Sequence, residues 1–314
     1  MFDASKFGFD VASALSRGKR DTQEDAIVAD VSIGDSAGVV VLADGMGGHQ
    51  AGEVASGIVV TEVFRALKPK IGTLANSPDT VPETLYDAAQ SANTCLQQHA
   101  THFPATEGMG ATLVALVLVD QSLFWISIGD SVLYLIRDGK LRQLNEDHSL
   151  APQIDYMVQR GMISKEAGQN HPDRSVLTSA LQGGDIHRID CPDTPLKLRL
   201  GDIVVAASDG LPYLEVAEIR KILTEHDGAD SDGFAHLLLK AIKALNHPDQ
   251  DNVCFSVIRV TEGHGKTLPK IQAAARPDQW RKPAANVPDR APEGQGAGPG
   301  FFGRLFDLGT GLLR

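Results

Sequence analysis

The chain has 314 residues, of which 42% are hydrophobic, and its net charge is −11 at pH 7. This length and apolar content suffice for a large globular domain without disulfides, and so acidic a chain is a poor partner for nucleic acid. The three cysteines, Cys95, Cys191 and Cys254, form no C-x-x-C pair, which argues against a zinc-thiolate site and against a disulfide scaffold.

The N-terminal segment lacks the basic flank and the continuous apolar run of a secretory signal. No stretch of about 18 or more apolar residues follows it anywhere in the chain. These two features predict a cytoplasmic protein without a membrane span.

Strands and helices alternate along the first 261 residues. Runs rich in β-branched residues predict strands over 39–42, 111–119, 123–128, 203–207 and 253–260. Apolar spacing predicts helices over 54–67, after Thr80 and over 234–245, and Thr80 with Glu83 has the spacing of a capping box. Asp138-Gly139 predicts the turn of a hairpin. Because no strict βαβ alternation is present, the pattern favours a layered α+β fold.

Composition changes near Thr261, so we predict a globular domain over residues 5–261. Residues 262–300 are rich in proline and glycine and predict a flexible linker. Residues 301–314 turn apolar again. This tail is either a docking peptide for a partner protein or a membrane surface, or a terminal segment that frays or packs on its own domain.

Three predicted strands end in an aspartate beside a glycine. The pairs are Asp44-Gly45, Gly129-Asp130 and Asp209-Gly210, and Asp251 stands just before a fourth strand. Such dipeptides are also common in plain turns, as at Asp138-Gly139. The repetition of this aspartate–glycine pattern at strand ends favours a metal site. Carboxylate and carbonyl oxygens are hard ligands, which select Mg²⁺, Mn²⁺ or Ca²⁺ over zinc or copper.

The order of these segments resembles the metal-dependent serine/threonine protein phosphatases of type 2C, in particular the bacterial branch. The resemblance rests on six stretches of sequence. They are RDTQEDA (20–26), LADGMGGHQAGEVAS (42–56), MGATLV (109–114), IGDSVLYLIRDGKLRQLNEDHS (128–149), GDIVVAASDGL (201–211) and Asp251-Asn252. It implies a four-layer α-β-β-α sandwich of two antiparallel sheets flanked by helices.

The resemblance also implies roles for individual residues. Asp44 would bridge two metal ions, with the Gly45 carbonyl on one of them, and Asp209 and Asp251 would complete the other. Glu24 would act through a metal-bound water, and Asp25 would support the ligands from behind. Asp130, together with Asp209, would help to hold a third metal, and Arg20 would grip the substrate phosphate.

The implied reaction is hydrolysis of phosphoserine and phosphothreonine in proteins by a water that bridges two Mn²⁺ or Mg²⁺ ions, with a third ion as an option. The proton for the leaving group would come from His49 or from a second metal-bound water, although His49 may equally serve the structure of its glycine-rich turn. Phosphoproteins and a cognate serine/threonine kinase are the expected partners. The alternative function is a phosphatase-like regulatory binding module with little turnover.

Overall fold

A computed structural model describes residues 7–31, 36–47, 51–226 and 228–263. The predictions for His49, for most of the linker and for the 301–314 tail lie outside these residues and stay predictions. Within the described part, no helix is both long enough and apolar enough to cross a membrane.

The described strands and helices follow the predicted mixture. The strands are β1 (Phe7–Ser16), β2 (Asp25–Asp30), β3 (Ala37–Met46), β4 (Gly110–Ala111), β5 (Leu113–Val119), β6 (Ser122–Ile128), β7 (Val132–Arg137), β8 (Lys140–Gln143), β9 (Leu196–Lys197), β10 (Ile203–Ala207) and β11 (Val253–Glu262). The helices are α1 (Ala51–Leu67), α2 (Ile71–Asn76), α3 (Val81–His102), α4 (Ala151–Gln159), α5 (Lys165–Gln169), α6 (Val216–Thr224) and α7 (Ser231–Leu245). Short 3₁₀ turns lie at Lys68–Lys70, Pro78–Thr80, Pro104–Thr106 and Leu211–Tyr213.

The strands form two antiparallel sheets. The first has the order β1-β11-β10-β7-β8, and the second has the order β2-β3-β5-β6-β9, with β4 paired to β3. The side chains of β5 are all apolar and point alternately to the two faces of the sheet. Val114, Leu116 and Leu118 face the other sheet, and the residues between them face the helices. A strand buried on both faces in this way belongs to the middle of a layered fold.

Three apolar clusters bind the layers together. One lies between the sheets and includes Phe9, Leu116 and Ile258. A second packs α1 and α3 on the outer face of the β2-β3-β5-β6-β9 sheet, and a third packs α6 and α7 on the outer face of the other sheet. The helix–sheet–sheet–helix order confirms the predicted α+β four-layer sandwich.

Two local predictions were wrong. Thr80 does not form a capping box, because the turn before it already gives it helical backbone angles (φ −89°, ψ −4°) and its hydroxyl donates to the Ser77 carbonyl at 2.8 Å. Asp44 does not end its strand, because β3 continues to Met46 by pairing with β4. The hairpin turn is confirmed, since Asp138 (φ 52°) and Gly139 (φ 70°) both adopt left-handed angles.

Candidate active site

The antiparallel topology brings the predicted acidic residues to one end of the sandwich. Asp25, at the start of β2, is the register partner of Asp44, near the end of β3. In the other sheet Ala207, the last residue of β10, pairs with Phe255 near the start of β11. Asp209 therefore follows one strand at the same end at which Asp251 precedes its neighbour.

Asp44 is held in place through its backbone. Its amide donates to Thr112 Oγ1 at 3.0 Å, and its carbonyl accepts from the Thr112 amide at 2.8 Å. The Thr112 hydroxyl also lies 2.8 Å from Ser131 Oγ, in the loop that carries Asp130. These contacts fix Asp44 and Asp130 relative to each other.

The Asp44 and Asp209 carboxyl groups are close enough to share a proton in a hydrogen bond. Burial and then the negative charges of Asp25, Asp209 and Asp130 raise the pKa of Asp44 well above its usual range. The pKa of Asp209 is also raised, first by burial and then by Asp251. Each carboxylate therefore favours a proton or a cation between itself and its neighbours.

Asp25 is the most enclosed carboxyl group of the site, with 5% of its surface exposed. Ser208 Oγ donates to its Oδ2 at 2.7 Å, whereas its Oδ1 has no hydrogen-bond partner. Burial raises its pKa to about 7; the bond from Ser208 opposes the rise, and the charges of Asp209 and Asp251 add to it. The unpaired oxygen marks a place where an additional polar group would be favourable.

Asp251 lies beside the residue predicted to grip phosphate. Arg20 Nη2 donates to Asp251 Oδ2 at 2.5 Å, and this bond raises the pKa of the guanidinium. Asn252 braces the Arg20 loop: its side chain accepts from the Glu24 amide at 2.7 Å and donates to the Arg17 and Thr22 carbonyls. The loop and the Asp251 segment are therefore one hydrogen-bonded unit.

Glu24 and Gly45 lie against the beginning of α1. The Gly45 amide donates to the Glu24 carbonyl at 3.0 Å. A Cβ on Gly52 would stand 2.9 Å from both Glu24 Oε2 and the Gly45 carbonyl oxygen. Two glycines thus allow an acidic side chain and a backbone carbonyl to approach the helix closely.

Asp130 belongs to the same group through its charge. Burial, followed by the charges of Asp209 and Asp147, raises its pKa to about 7. The loop is fixed by His148, whose backbone amide donates to the Gly129 carbonyl at 3.0 Å while its Nδ1 accepts from the Gly129 amide at 3.2 Å. Gly129 has a φ of 106°, which a side chain would disfavour.

The donor set fits divalent cations. Among the described residues, no group of three or more aspartate, glutamate, histidine or cysteine side chains is arranged closely enough to hold a metal ion. Asp44 and Asp209 lie within hydrogen-bonding reach of each other, and Asp251 binds Arg20. Buried carboxylates that repel one another, with the unpaired oxygen of Asp25 behind them, are the hard ligands that Mg²⁺ and Mn²⁺ prefer.

The raised pKa values predict how the stability of the metal-free protein depends on pH. Asp25 and Asp130 have pKa values of about 7 when folded, against about 3.9 in an unfolded chain. Between these two pKa values the folded state binds more protons than the unfolded state. Its free energy of unfolding is therefore expected to fall as the pH rises through this interval. Thermal unfolding in EDTA at about pH 5 and about pH 8 measures the effect. A melting temperature that rises with pH would contradict it, and Asp130→Asn should weaken the dependence.

Several supporting residues were not assigned roles from the sequence. They are Gly52, Thr112, Ser131, Asp147, His148, Ser208 and Asn252. All of them stand within the quoted segments, so proximity to the aspartates in the sequence was the available signal. Their contacts span from 7 residues, between Gly45 and Gly52, to 228 residues, between Glu24 and Asn252, and sequence spacing does not reveal them.

The chain is similar to known protein phosphatases. The family model of protein phosphatase 2C matches residues 15–178. The serine/threonine protein phosphatase PstP of Mycobacterium tuberculosis is 33% identical over 272 residues, which are 82% of this chain and 46% of PstP. The serine/threonine phosphatase stp of Listeria monocytogenes is 34% identical over 191 residues, or 60% of this chain and 73% of that protein.

A solved structure resembles the fold as well. The catalytic domain of the serine/threonine protein phosphatase PstP, crystallised in complex with two manganese ions, superposes with a TM-score of 0.66 at 27% identity. The match covers 82% of this chain and 100% of that domain. The family resemblance is therefore confirmed, and the predicted enzyme class agrees with the names of these relatives.

Proposed function

This chain belongs to the protein phosphatase 2C family, and from that premise we propose that it hydrolyses phosphoserine and phosphothreonine in proteins. The observation that carries the proposal is the meeting of Asp44, Asp130, Asp209 and Asp251 at one end of the sandwich, beside Arg20. Acidic side chains alone would repel a phosphate group, so this arrangement suits phosphate chemistry only with cations among them.

Two Mn²⁺ or Mg²⁺ ions are the proposed cofactors, with a third as an option. Asp44, Asp209 and Asp251 would hold the central pair together with the Gly45 carbonyl and, indirectly, Glu24, while Asp130 would serve the third. When bound, such ions supply a strong nucleophile from water near neutral pH and positive charge for the transition state. The manganese-bound PstP domain supports this assignment.

Arg20 is proposed to bind and orient the substrate phosphate. Its side chain is 57% exposed, and the bond to Asp251 uses Nη2, so further N–H donors of the guanidinium point away from that bond. A guanidinium matches two phosphate oxygens at once and remains charged at any working pH. The hydrogen bond to Asp251 therefore holds the Arg20 guanidinium beside the proposed metal site.

Two of the three cysteines are poor nucleophiles for a covalent route. Cys254 lies closest to the acidic residues, and burial, together with the charge of Asp25, raises the pKa of its thiol well above the usual range. Burial likewise raises the pKa of Cys191 to about 11. A thiol that keeps its proton is a weak nucleophile, which supports direct attack by water.

The cellular setting is also part of the proposal. We propose phosphoproteins as substrates, a serine/threonine kinase of the same cell as the opposing enzyme, and the cytoplasm as the compartment. The named relatives are serine/threonine phosphatases of bacteria, which supports this setting.

Metal removal is expected to abolish the activity. Purified protein with Mn²⁺ should hydrolyse p-nitrophenyl phosphate and a phosphothreonine peptide, and excess EDTA should reduce both rates by at least about 10³-fold, since the ions supply several kcal/mol of transition-state stabilisation. Added Mn²⁺ or Mg²⁺ should restore the rates. No turnover at any metal concentration would favour the phosphatase-like binding module instead.

A further inference from the structure

A cavity lies next to the acidic site, between the Arg20 loop and the end of α7. Its volume is about 150 Å³, which is large enough for several water-sized groups. Residues of the loop (Gly18 and Lys19), of the last turn of α7 (Lys243) and of the segment before β11 (His247 and Gln250) line it.

The charged and titratable side chains that line the cavity can each donate a hydrogen bond. Lys19 Nζ donates to Asn246 Oδ1 at 3.2 Å. Lys243 forms no ion pair with another described residue. His247 Nδ1 accepts from the Asp249 amide at 3.2 Å, so a neutral His247 carries its proton on Nε2. No acidic side chain of a described residue lines this cavity, which is an unusual local balance in a chain of net charge −11.

A buried side chain ties the wall of the cavity to Asp251. Gln250 is 5% exposed, and its Nε2 donates to the Asp251 carbonyl at 3.4 Å, while its Oε1 is buried without a hydrogen bond. An amide oxygen accepts hydrogen bonds and does not attract an anion. The attraction of the cavity for an anion therefore comes from Lys19 and Lys243.

The cavity is joined directly to the phosphate-binding residues. Lys19 and Gln250 immediately precede Arg20 and Asp251, and the Lys19 amide donates to the Gln250 carbonyl at 2.8 Å. A Cβ on Gly18 would meet the Asp251 carbonyl oxygen at 2.1 Å, so the two segments are in tight contact. Tyr213 extends the link: its ring packs edge-on against His247 at 5.2 Å, and its hydroxyl donates to the Asp249 carbonyl.

We propose that this cavity binds an anionic side chain of the substrate, a carboxylate or a second phosphate, close to the phosphorylated residue. The inference rests on the proposed phosphatase function and names a substrate class for it: phosphoproteins with an acidic flank. Because Lys19 and Gln250 adjoin Arg20 and Asp251 in the chain, the anionic group is expected within a few residues of the phosphoserine or phosphothreonine. Lys19 and Lys243 are its specificity-determining residues.

Flanking-residue scans test the proposal. Phosphothreonine peptides on an alanine background would carry aspartate, phosphoserine or lysine at each position within three residues of the phosphothreonine. At one or two positions kcat/KM should be about threefold to tenfold higher with aspartate than with alanine, as expected for a partly exposed ion pair, and lower with lysine. Comparison of the phosphoserine peptides with the aspartate peptides shows whether the cavity prefers a phosphate or a carboxylate.

Charge reversal supplies the decisive comparison. Lys243→Glu and, separately, Lys19→Glu should remove or invert the preference while leaving kcat/KM for p-nitrophenyl phosphate unchanged, because that substrate has no flank. Lys140→Glu, at the far end of the β7-β8 hairpin, makes the same charge change and should keep the preference. Two separate variants guard against one that fails to fold.

Two results would overturn the inference. One is a flat profile in the wild-type protein, and the other is a preference that survives both reversals. If p-nitrophenyl phosphate and every peptide remain intact in the presence of Mn²⁺, the proposed phosphatase function fails instead. Fluorescence anisotropy with the same peptides then tests anion binding by the cavity independently of catalysis. Tighter binding of the aspartate peptide than of the alanine peptide supports the inference, and equal affinity for the two peptides refutes it.

Discussion

Replacement of Asp44 by asparagine is expected to lower kcat/KM for p-nitrophenyl phosphate and for a phosphothreonine peptide by about 10³-fold or more. Asp44 is the carboxyl group that faces Asp25, Asp130 and Asp209 together. An asparagine keeps the shape but removes the charge that the cations need. The loss corresponds to about 4 kcal/mol of transition-state stabilisation.

The same substitution should stabilise the metal-free protein. Burial and three neighbouring carboxyl groups raise the pKa of Asp44 well above its usual range, so ionisation of Asp44 opposes folding at neutral pH. Asparagine cannot ionise, and its amide can donate to the neighbouring Asp209 carboxylate. In EDTA at about pH 7.5 the melting temperature should rise by roughly 2–4 °C, the shift produced by about 1 kcal/mol in a domain of this size.

A matched control is available in the β7-β8 hairpin. Asp138 also precedes a glycine, but it stands in an exposed turn with φ 52° and is not among the acids whose charges act on Asp44. Asp138→Asn should leave both the activity and the metal-free stability nearly unchanged. Loss of activity in both variants, or full activity in Asp44→Asn, would contradict the proposed role of Asp44.

Replacement of Gly45 by alanine is expected to be strongly disruptive at the site. The added Cβ would lie 2.0 Å from the Gly52 carbonyl oxygen and 2.7 Å from the Glu24 carbonyl oxygen. Both contacts are with backbone atoms, so β3 and the first turn of α1 would have to separate. Overpacking of this kind costs about 3 kcal/mol or more, and the displaced Gly45 carbonyl and Glu24 should lower the activity sharply.

Gly57, in the middle of α1, is the control for this prediction. A Cβ at that position would meet nothing within 4 Å. Gly57→Ala should therefore raise the stability by about 0.5–1 kcal/mol, because alanine loses less conformational entropy in a helix. Urea unfolding of the two variants measures both effects. Equal stability of Gly45→Ala and the wild-type protein would refute the close approach of β3 to α1.

The sequence predicted the elements of the fold well wherever local patterns are strong. The strand predicted over 203–207 coincides with β10, and the turn at Asp138-Gly139 forms because both residues adopt left-handed angles. The capping box at Thr80 failed because a turn that begins two residues earlier had already set its backbone angles. Local propensity is overridden when a neighbouring segment fixes the geometry first.

The family resemblance identified the acidic residues, but their mutual contacts depend on the tertiary structure. Nothing in the local sequence indicates that Arg20 binds Asp251, 231 residues further along the chain. The same holds for the bond from Ser208 to Asp25, which spans 183 residues. These pairings exist because two sheets place the ends of distant strands side by side.

By itself, the sequence determined which chemistry is available, because hard oxygen ligands, a guanidinium and flexible glycines are properties of residue types. It also favoured a layered α+β fold, because strands and helices are mixed without strict βαβ alternation, and its resemblance to a known family implied the four-layer sandwich. Only the tertiary structure decided how the charges are balanced. It buries Asp25, brings Asp44 close to Asp209, pairs Asp251 with Arg20 and places two lysines at the neighbouring cavity. Electrostatic energy depends on distance and burial in space, and neither can be read from separation along the chain.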